Sequence, residues 1–303
     1  MVDSKRRIIL PLFALLLLFF SVAYVSFSQN RTITGRVTSG TASINISVGA
    51  SPSITTVSTL AAQDVSENTV KYVVFNFTAY DGDGAADLNS TAAIIRINRT
   101  GETDRVNSTC STDGSSFGNY QNFTCRLDLW YFDGAGGWSI NATIKDVGGN
   151  VATNQTQIFT VNPLTAITLH PSSLTWPSVA VTDTNTLSNN DPLVLNNTGN
   201  VDISSPNVEI TAIDLFGEVT PSDIIYAGNF TVDETNACDA GPVMVNGTAT
   251  GVTGSVLNAG NNSVNDGSTG QEQLYFCLEA LNPGISSQSY STAQGGAWTI
   301  GVS

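Results

Sequence analysis

Carboxylates at a turn are the residues best placed to do chemistry. Asp81, Asp83 and Asp87 fall in the pattern D-x-D-G-x-x-D, and oxygen-rich loops of this kind suit a hard cation such as calcium. The pattern departs from the EF-hand template, because Ala85 stands at its fifth position and no glutamate closes the loop. Turn chemistry explains the same residues without metal, since Asp and Gly both tolerate tight backbone. Both readings stay open, and calcium is the one cofactor the sequence suggests.

Catalytic constellations are harder to assemble. His170 is the only histidine and precedes Pro171. A Ser/His or Cys/His nucleophile needs a base that a third group holds inside a pocket, which a proline-flanked histidine in a connecting segment does not offer. Acidic residues are scattered, and no pair is singled out for paired-carboxylate hydrolysis. The chain therefore reads as non-enzymatic, with no catalytic residues. Trp130, Tyr131, Phe132 and Trp138 could stack a sugar ring. However, Leu127, Leu129 and Tyr131 alternate with Asp128, Trp130 and Phe132, so a ring turns into the core in either strand phase.

Cys110, Cys125, Cys238 and Cys277 have neither CxxC spacing nor a nearby histidine, which speaks against zinc. Four cysteines allow three pairings. With two in each half of the chain, Cys110–Cys125 and Cys238–Cys277 are favoured. Thirteen N-x-S/T sequons occur, at Asn30, Asn45, Asn76, Asn89, Asn98, Asn107, Asn122, Asn141, Asn154, Asn196, Asn229, Asn246 and Asn261. That is roughly twice what composition alone would scatter.

The elements that must carry these residues are strands. Charged residues make up 12% of 303 residues, and only Lys5, Lys71 and Lys145 are lysines. Helix formers are scarce while Val, Ile, Thr, Tyr and Phe abound, a β bias. Apolar content of 41% suffices for a packed core. The net charge of −14 and the scarcity of Lys and Arg, 11 in 303 residues, exclude nucleic acid as a partner, because phosphate binding requires clustered cations.

Lys5-Arg6-Arg7 precedes an apolar run from Ile8 to about Val25. A basic flank before such a run is an export signal. Ser26 and Ser28 suit a cut before Gln29, whereas the run's length also reaches the lower limit for an uncleaved membrane anchor. A third reading is pilin-type processing after the basic cluster. Residues 1–28 are thus a signal peptide or transmembrane anchor, and the rest is expected outside the cytoplasm, on the cell surface or secreted. If the segment is uncleaved, the membrane is a partner.

Residues 29–52 are rich in Ser, Thr and Gly and read as a tether. Period-two strands separated by Asp/Gly turns fill residues 53–162, the first expected β-sandwich. Residues 163–177, with three prolines, read as a join, and residues 178–303 as a second sandwich. In the first sandwich one face of a strand carries Val73, Phe75, Phe77 and Ala79, and another carries Ala93, Ile95 and Ile97. A third carries Trp138, Ile140, Ala142 and Ile144. Asn76, Asn98 and Asn141 then fall on the opposite, solvent faces. Residues 255–270 read as a long Gly/Asn/Ser-rich loop.

The run VKYVVFNFTAYDGDGAADLNSTAAIIRINRTG, closing with WSINATIKDVGGNVATNQTQIFTV, resembles immunoglobulin-like domains of archaeal and bacterial surface proteins. PLVLNNTGNVDISSPNVEITAIDL is similar to a second surface β-sandwich with strands around an Asn-x-Gly-Asn turn. The likeness covers about Tyr72 to Leu215. It implies an all-β fold of two tandem immunoglobulin-like sandwiches and a surface location, with no catalytic residues to carry over. The expected function is a glycosylated structural or adhesion protein. The alternatives are an extracellular carbohydrate-binding protein and a pilin-like filament subunit.

Overall fold

A computed structural model describes residues 49–238, 240–263 and 270–303. The N-terminal apolar segment, residues 29–48 of the tether, Asn30 and Asn45 lie outside the described residues. Among those described, the regular elements are antiparallel strands and two short 3-10 turns. No helix there is long and apolar enough to cross a membrane.

The first half forms two sheets over one core. Strands β1 (Ser53–Val57), β2 (Val70–Tyr80), β5 (Ser111–Phe117) and β6 (Tyr120–Trp130) make a sheet ordered β1-β2-β6-β5. Strands β3 (Leu88–Asn98), β4 (Arg105–Asn107), β7 (Gly136–Asp146) and β8 (Val151–Val161) make the other, ordered β4-β3-β7-β8. Alternation of side chains sends Phe75, Phe77, Phe123 and Leu129 from one sheet, and Ile95, Ile97, Trp138, Ile140 and Ile144 from the other, into the same buried cluster. Each such side chain stabilises by roughly 1.5–3 kcal/mol. A one-residue slip would turn a whole strand's set outward, so register is strongly specified. Phe77 stacks on Phe123 at 4.9 Å, and Phe75 meets Phe159 edge-on at 5.8 Å. The chain after β1 crosses to the second sheet, where Gln63 pairs with Val161 in parallel. Gln63 N–H donates to the Thr160 carbonyl at 2.8 Å.

Gln271–Ala280 is the axis of the second half. It pairs with Thr184–Leu187, Leu193–Asn197 and Phe230–Asp233, and Leu193–Asn197 pairs in turn with Ile167–His170. A smaller sheet places Val208–Thr211 between Ala249–Gly251 and Thr299–Val302. A second core of Leu195, Ile210, Phe230, Val232, Leu274 and Phe276 lies among these strands, with Trp176 and Trp298 against Phe230.

Two local features differ from the sequence reading. Ile167–His170, inside the proline-rich stretch 163–177, is a strand, because its backbone completes the ladder on Leu193–Asn197. Val256–Leu257, inside the expected loop, pairs with Ile203–Ser204, and burial of Leu257 repays that pairing. A 3-10 turn at Ala227–Asn229 separates the short strands Ile224–Ile225 and Phe230–Asp233, and there Asn229 Oδ1 accepts from Tyr226 N–H at 3.1 Å.

Both disulfides are local closures. Cys110 directly precedes β5 and is bonded to Cys125 of β6, next to the pair Ser111–Thr124. Cys238 is bonded to Cys277, which sits opposite Thr231.

Candidate functional site

Three aspartates converge where the two sheets of the first half end. Asp81 follows β2, Asp87 closes the 3-10 turn Ala85–Asp87, and Asp146 ends β7. The pairing of Leu88 with Asp146 brings the second turn beside the third acid. Backbone bonds fix the loop. Gly84 N–H donates to the Asp81 carbonyl at 3.2 Å, Asp87 N–H to Gly84 at 3.0 Å, and Val147 N–H to Asp87 at 2.7 Å. Gly84 has φ 114°, a conformation that favours glycine.

Carboxylate oxygens of Asp81, Asp87 and Asp146 lie within 4.8 Å of one another. Asp81 is 0% and Asp146 2% exposed, while Asp87 is half-buried. Among the described residues no other group of His, Cys, Asp and Glu is close enough to share a cation. None of the three has a Lys or Arg partner there either; the ion pairs are Arg96–Asp104, Arg99–Glu102 and Arg105–Asp133. Desolvation, and then the charges of Asp81, Asp146 and Asp83, push the Asp87 carboxyl above the usual range. Asp146 is held below it, chiefly by the Asn150 side chain. Asn150 donates from its backbone to Asp146 Oδ1 and from Nδ2 to Oδ2, both at 2.7 Å. Asp81 Oδ1 accepts from Asp83 N–H at 2.9 Å, while Asp81 Oδ2 is buried and has no hydrogen-bond partner.

The sequence reading grouped Asp81, Asp83 and Asp87. The fold keeps Asp81 and Asp87 together but turns Asp83 outward, where its Oδ2 accepts from Ala50 N–H at 2.6 Å. Asp146 takes its place. The signal for Asp146 was an acid at a strand end before Gly148-Gly149-Asn150, which reads as an ordinary turn until the register of β3 and β7 is known.

The aromatic residues separate. Trp138 is fully buried, and its Nε1–H donates to the Gly134 carbonyl at 3.0 Å. Tyr131 is buried, and its hydroxyl accepts from Asn262 N–H at 3.1 Å. Trp130 is 37% exposed and stacks on Phe132 at 5.8 Å. His170 is exposed at the end of an edge strand, opposite Val194.

The sequon asparagines fall into distinct environments. Asn76 and Asn246 are exposed, and the other described ones are half-buried. Asn76 and Asn122 lie on neighbouring strands, and their sequons interlock: Thr124 Oγ1 donates to Asn76 Oδ1 at 2.9 Å and Thr78 Oγ1 to Asn122 Oδ1 at 2.8 Å. At Asn89, Asn107, Asn154 and Asn261 the hydroxyl two residues on donates to the asparagine's own Oδ1. Nδ2, the acceptor atom for a glycan, is engaged at Asn107 by the Arg126 carbonyl and at Asn122 by Asp113. It is engaged at Asn154 by Ile54 and at Asn229 by Ala280.

The Asn-Thr-Gly-Asn turn is built into a polar clamp that sequence reasoning missed. Asn200 is buried. Its Oδ1 accepts from Leu164 N–H at 2.7 Å, and its Nδ2 donates to the carbonyls of Asp133 and Asn162 at 3.1 Å each. Thr198 Oγ1 donates to Glu67 at 2.7 Å, and Asn68 N–H donates to the Thr198 carbonyl at 3.1 Å. A Cβ on Gly199 would meet the Leu164 carbonyl oxygen at 2.1 Å, so only glycine fits there. No protein-family profile and no curated protein matches this chain.

Proposed function

We propose that this is an exported, non-enzymatic, glycosylated surface protein with a structural or adhesive role. In this reading two tandem immunoglobulin-like sandwiches, residues 53–162 and 178–303, stand behind the N-terminal apolar segment. The observation that carries the reading is the alternation of β2. Val73, Phe75, Phe77 and Ala79 are buried while Asn76 between them is exposed on a disulfide-closed sheet, so a glycan fits where the core does not. The orders β1-β2-β6-β5 and β4-β3-β7-β8 correspond to the A-B-E-D sheet and an extended C-F-G sheet of the immunoglobulin arrangement, which supports the finer assignment. Two disulfides are compatible with an extracellular location. The clamp around Asn200 links both halves through buried polar bonds, as a spacer of fixed shape requires.

The carbohydrate-binding alternative draws on one observation. Trp130 is partly exposed on the outer face of β6, near Tyr72, whose ring lies 3.5 Å from the Arg126 guanidinium. Trp138, buried, offers it nothing.

The test is peptide mapping of the native protein combined with surface labelling of intact cells. The expected result is glycan at Asn76 and Asn246, little at Asn229, and labelling without lysis. The N-terminal peptide would separate cleavage before Gln29 from a retained anchor and from pilin-type processing. Unmodified sequons throughout, with labelling only after lysis, would overturn the proposal.

A further inference from the structure

We propose that Asp81, Asp87 and Asp146 bind a calcium ion that staples the open end of the first pair of sheets. The inference stands on the site's own geometry and does not depend on the surface-protein reading.

Three carboxylates lie within 4.8 Å of one another, two of them buried, with no Lys or Arg partner among the described residues. Like charges this close in a partly desolvated site repel strongly unless a counter-charge sits between them. Hydrogen bonds orient the acids without neutralising them. Asn150 grips Asp146 at both oxygens, and Asp83 N–H holds Asp81 Oδ1. Asp81 Oδ2 is the independent pointer: it is a buried charged oxygen with no donor, a state that native proteins avoid. A cation supplies the missing partner.

The donor set selects the metal. All three side chains offer hard oxygen, with no His or Cys as zinc prefers. Calcium takes about six to eight oxygens in flexible geometry. Half-buried Asp87 leaves one side open for water to fill the remaining positions. Magnesium demands near-ideal octahedral geometry, which acids from two separate backbone segments, the β2–β3 loop and the end of β7, are poorly placed to meet. The mechanical consequence follows from topology. Asp81 extends β2 of one sheet and Asp146 ends β7 of the other, so a shared ion joins the two layers where backbone bonds do not.

The experiment is thermal unfolding and calorimetric titration of the full-length purified protein with CaCl2, against EDTA and against MgCl2. For a site of about 0.1–1 mM affinity, usual for extracellular modules, 10 mM CaCl2 should lower the unfolding equilibrium constant roughly 10- to 100-fold. Calorimetry should give one site per chain, and the melting temperature should rise and saturate. Asp87→Asn should abolish the rise while melting at or above the unmutated protein in EDTA, because one repelling charge is gone. Asp128→Asn, exposed on β6 opposite Tyr72 and away from the site, should keep the full response. Absence of binding heat and of a melting shift would overturn the proposal, as would an undiminished response in Asp87→Asn. An equal response to MgCl2 would overturn the assignment to calcium. Should Asp87→Asn fail to fold, the calorimetric titration of the unmutated protein still decides.

Discussion

Phe77 sits at 2% exposure in β2, with Val57 of β1 on one side and Phe123 of β6 on the other. Its ring stacks on Phe123 at 4.9 Å with an interplanar angle of 16°. Replacement by alanine removes a ring held between strands paired on both sides, which cannot close in without breaking their own hydrogen bonds. The cost should therefore fall in the usual range for such truncations, about 3–5 kcal/mol, which includes the aromatic pair's own contribution of roughly 0.5–1.5 kcal/mol. At about 2–4 °C per kcal/mol for a unit of this size, the melting temperature should drop by roughly 6–20 °C. The matched control is its neighbour. Asn76→Gln, on the exposed face, loses one hydrogen bond from Thr124 Oγ1, worth about 1 kcal/mol or less. Differential scanning calorimetry of both variants, made without glycan so that sugar loss does not confound the control, gives the comparison. If Asn76→Gln melts as low as Phe77→Ala, or if Phe77→Ala is silent, then the phase of β2 and the core built on it are wrong.

Two further outcomes are expected. Asn200→Ala should cost roughly 2–4 kcal/mol in urea unfolding, since it strips the half-buried Leu164 N–H of its acceptor and two carbonyls of their donor; a loss within error of zero would refute the clamp. Glu234 is raised above its ordinary range by desolvation and then by Glu272 and Asp233, so its ionised form opposes folding at neutral pH. Glu234→Gln should stabilise at pH 7, and the gain should fade as pH falls through the folded pKa to the unfolded value, where both side chains are neutral; a gain that grows on acidification would refute the sign.

Much of the first half was legible in the sequence because a strand's side chains alternate with period two. Wherever one face is buried, that alternation shows in the residue types themselves. Phe75, Phe77, Ile95, Ile97, Ile140 and Ile144 are buried as their phase required. The cysteine pairing was legible for a related reason: short separations within each half let local strand pairing bring Cys110 to Cys125 and Cys238 to Cys277. Where the pattern is short or polar, periodicity says little. Val256–Leu257 and Ile167–His170 become strands only because partners elsewhere in the chain leave an open ladder for them. Trp130 and Trp138 could not be told apart by type; the position of each on its strand decided that Trp138 enters the core. The carboxylate site shows the division most plainly. Asp81 and Asp87 share one turn and were visible together, but Asp146 follows far along the chain. Only the register of β3 on β7 brings it alongside, and only the backbone of the loop turns Asp83 away toward Ala50. Local composition can nominate charges for a site. Which of them share it depends on long-range strand pairing, a property of the folded chain alone.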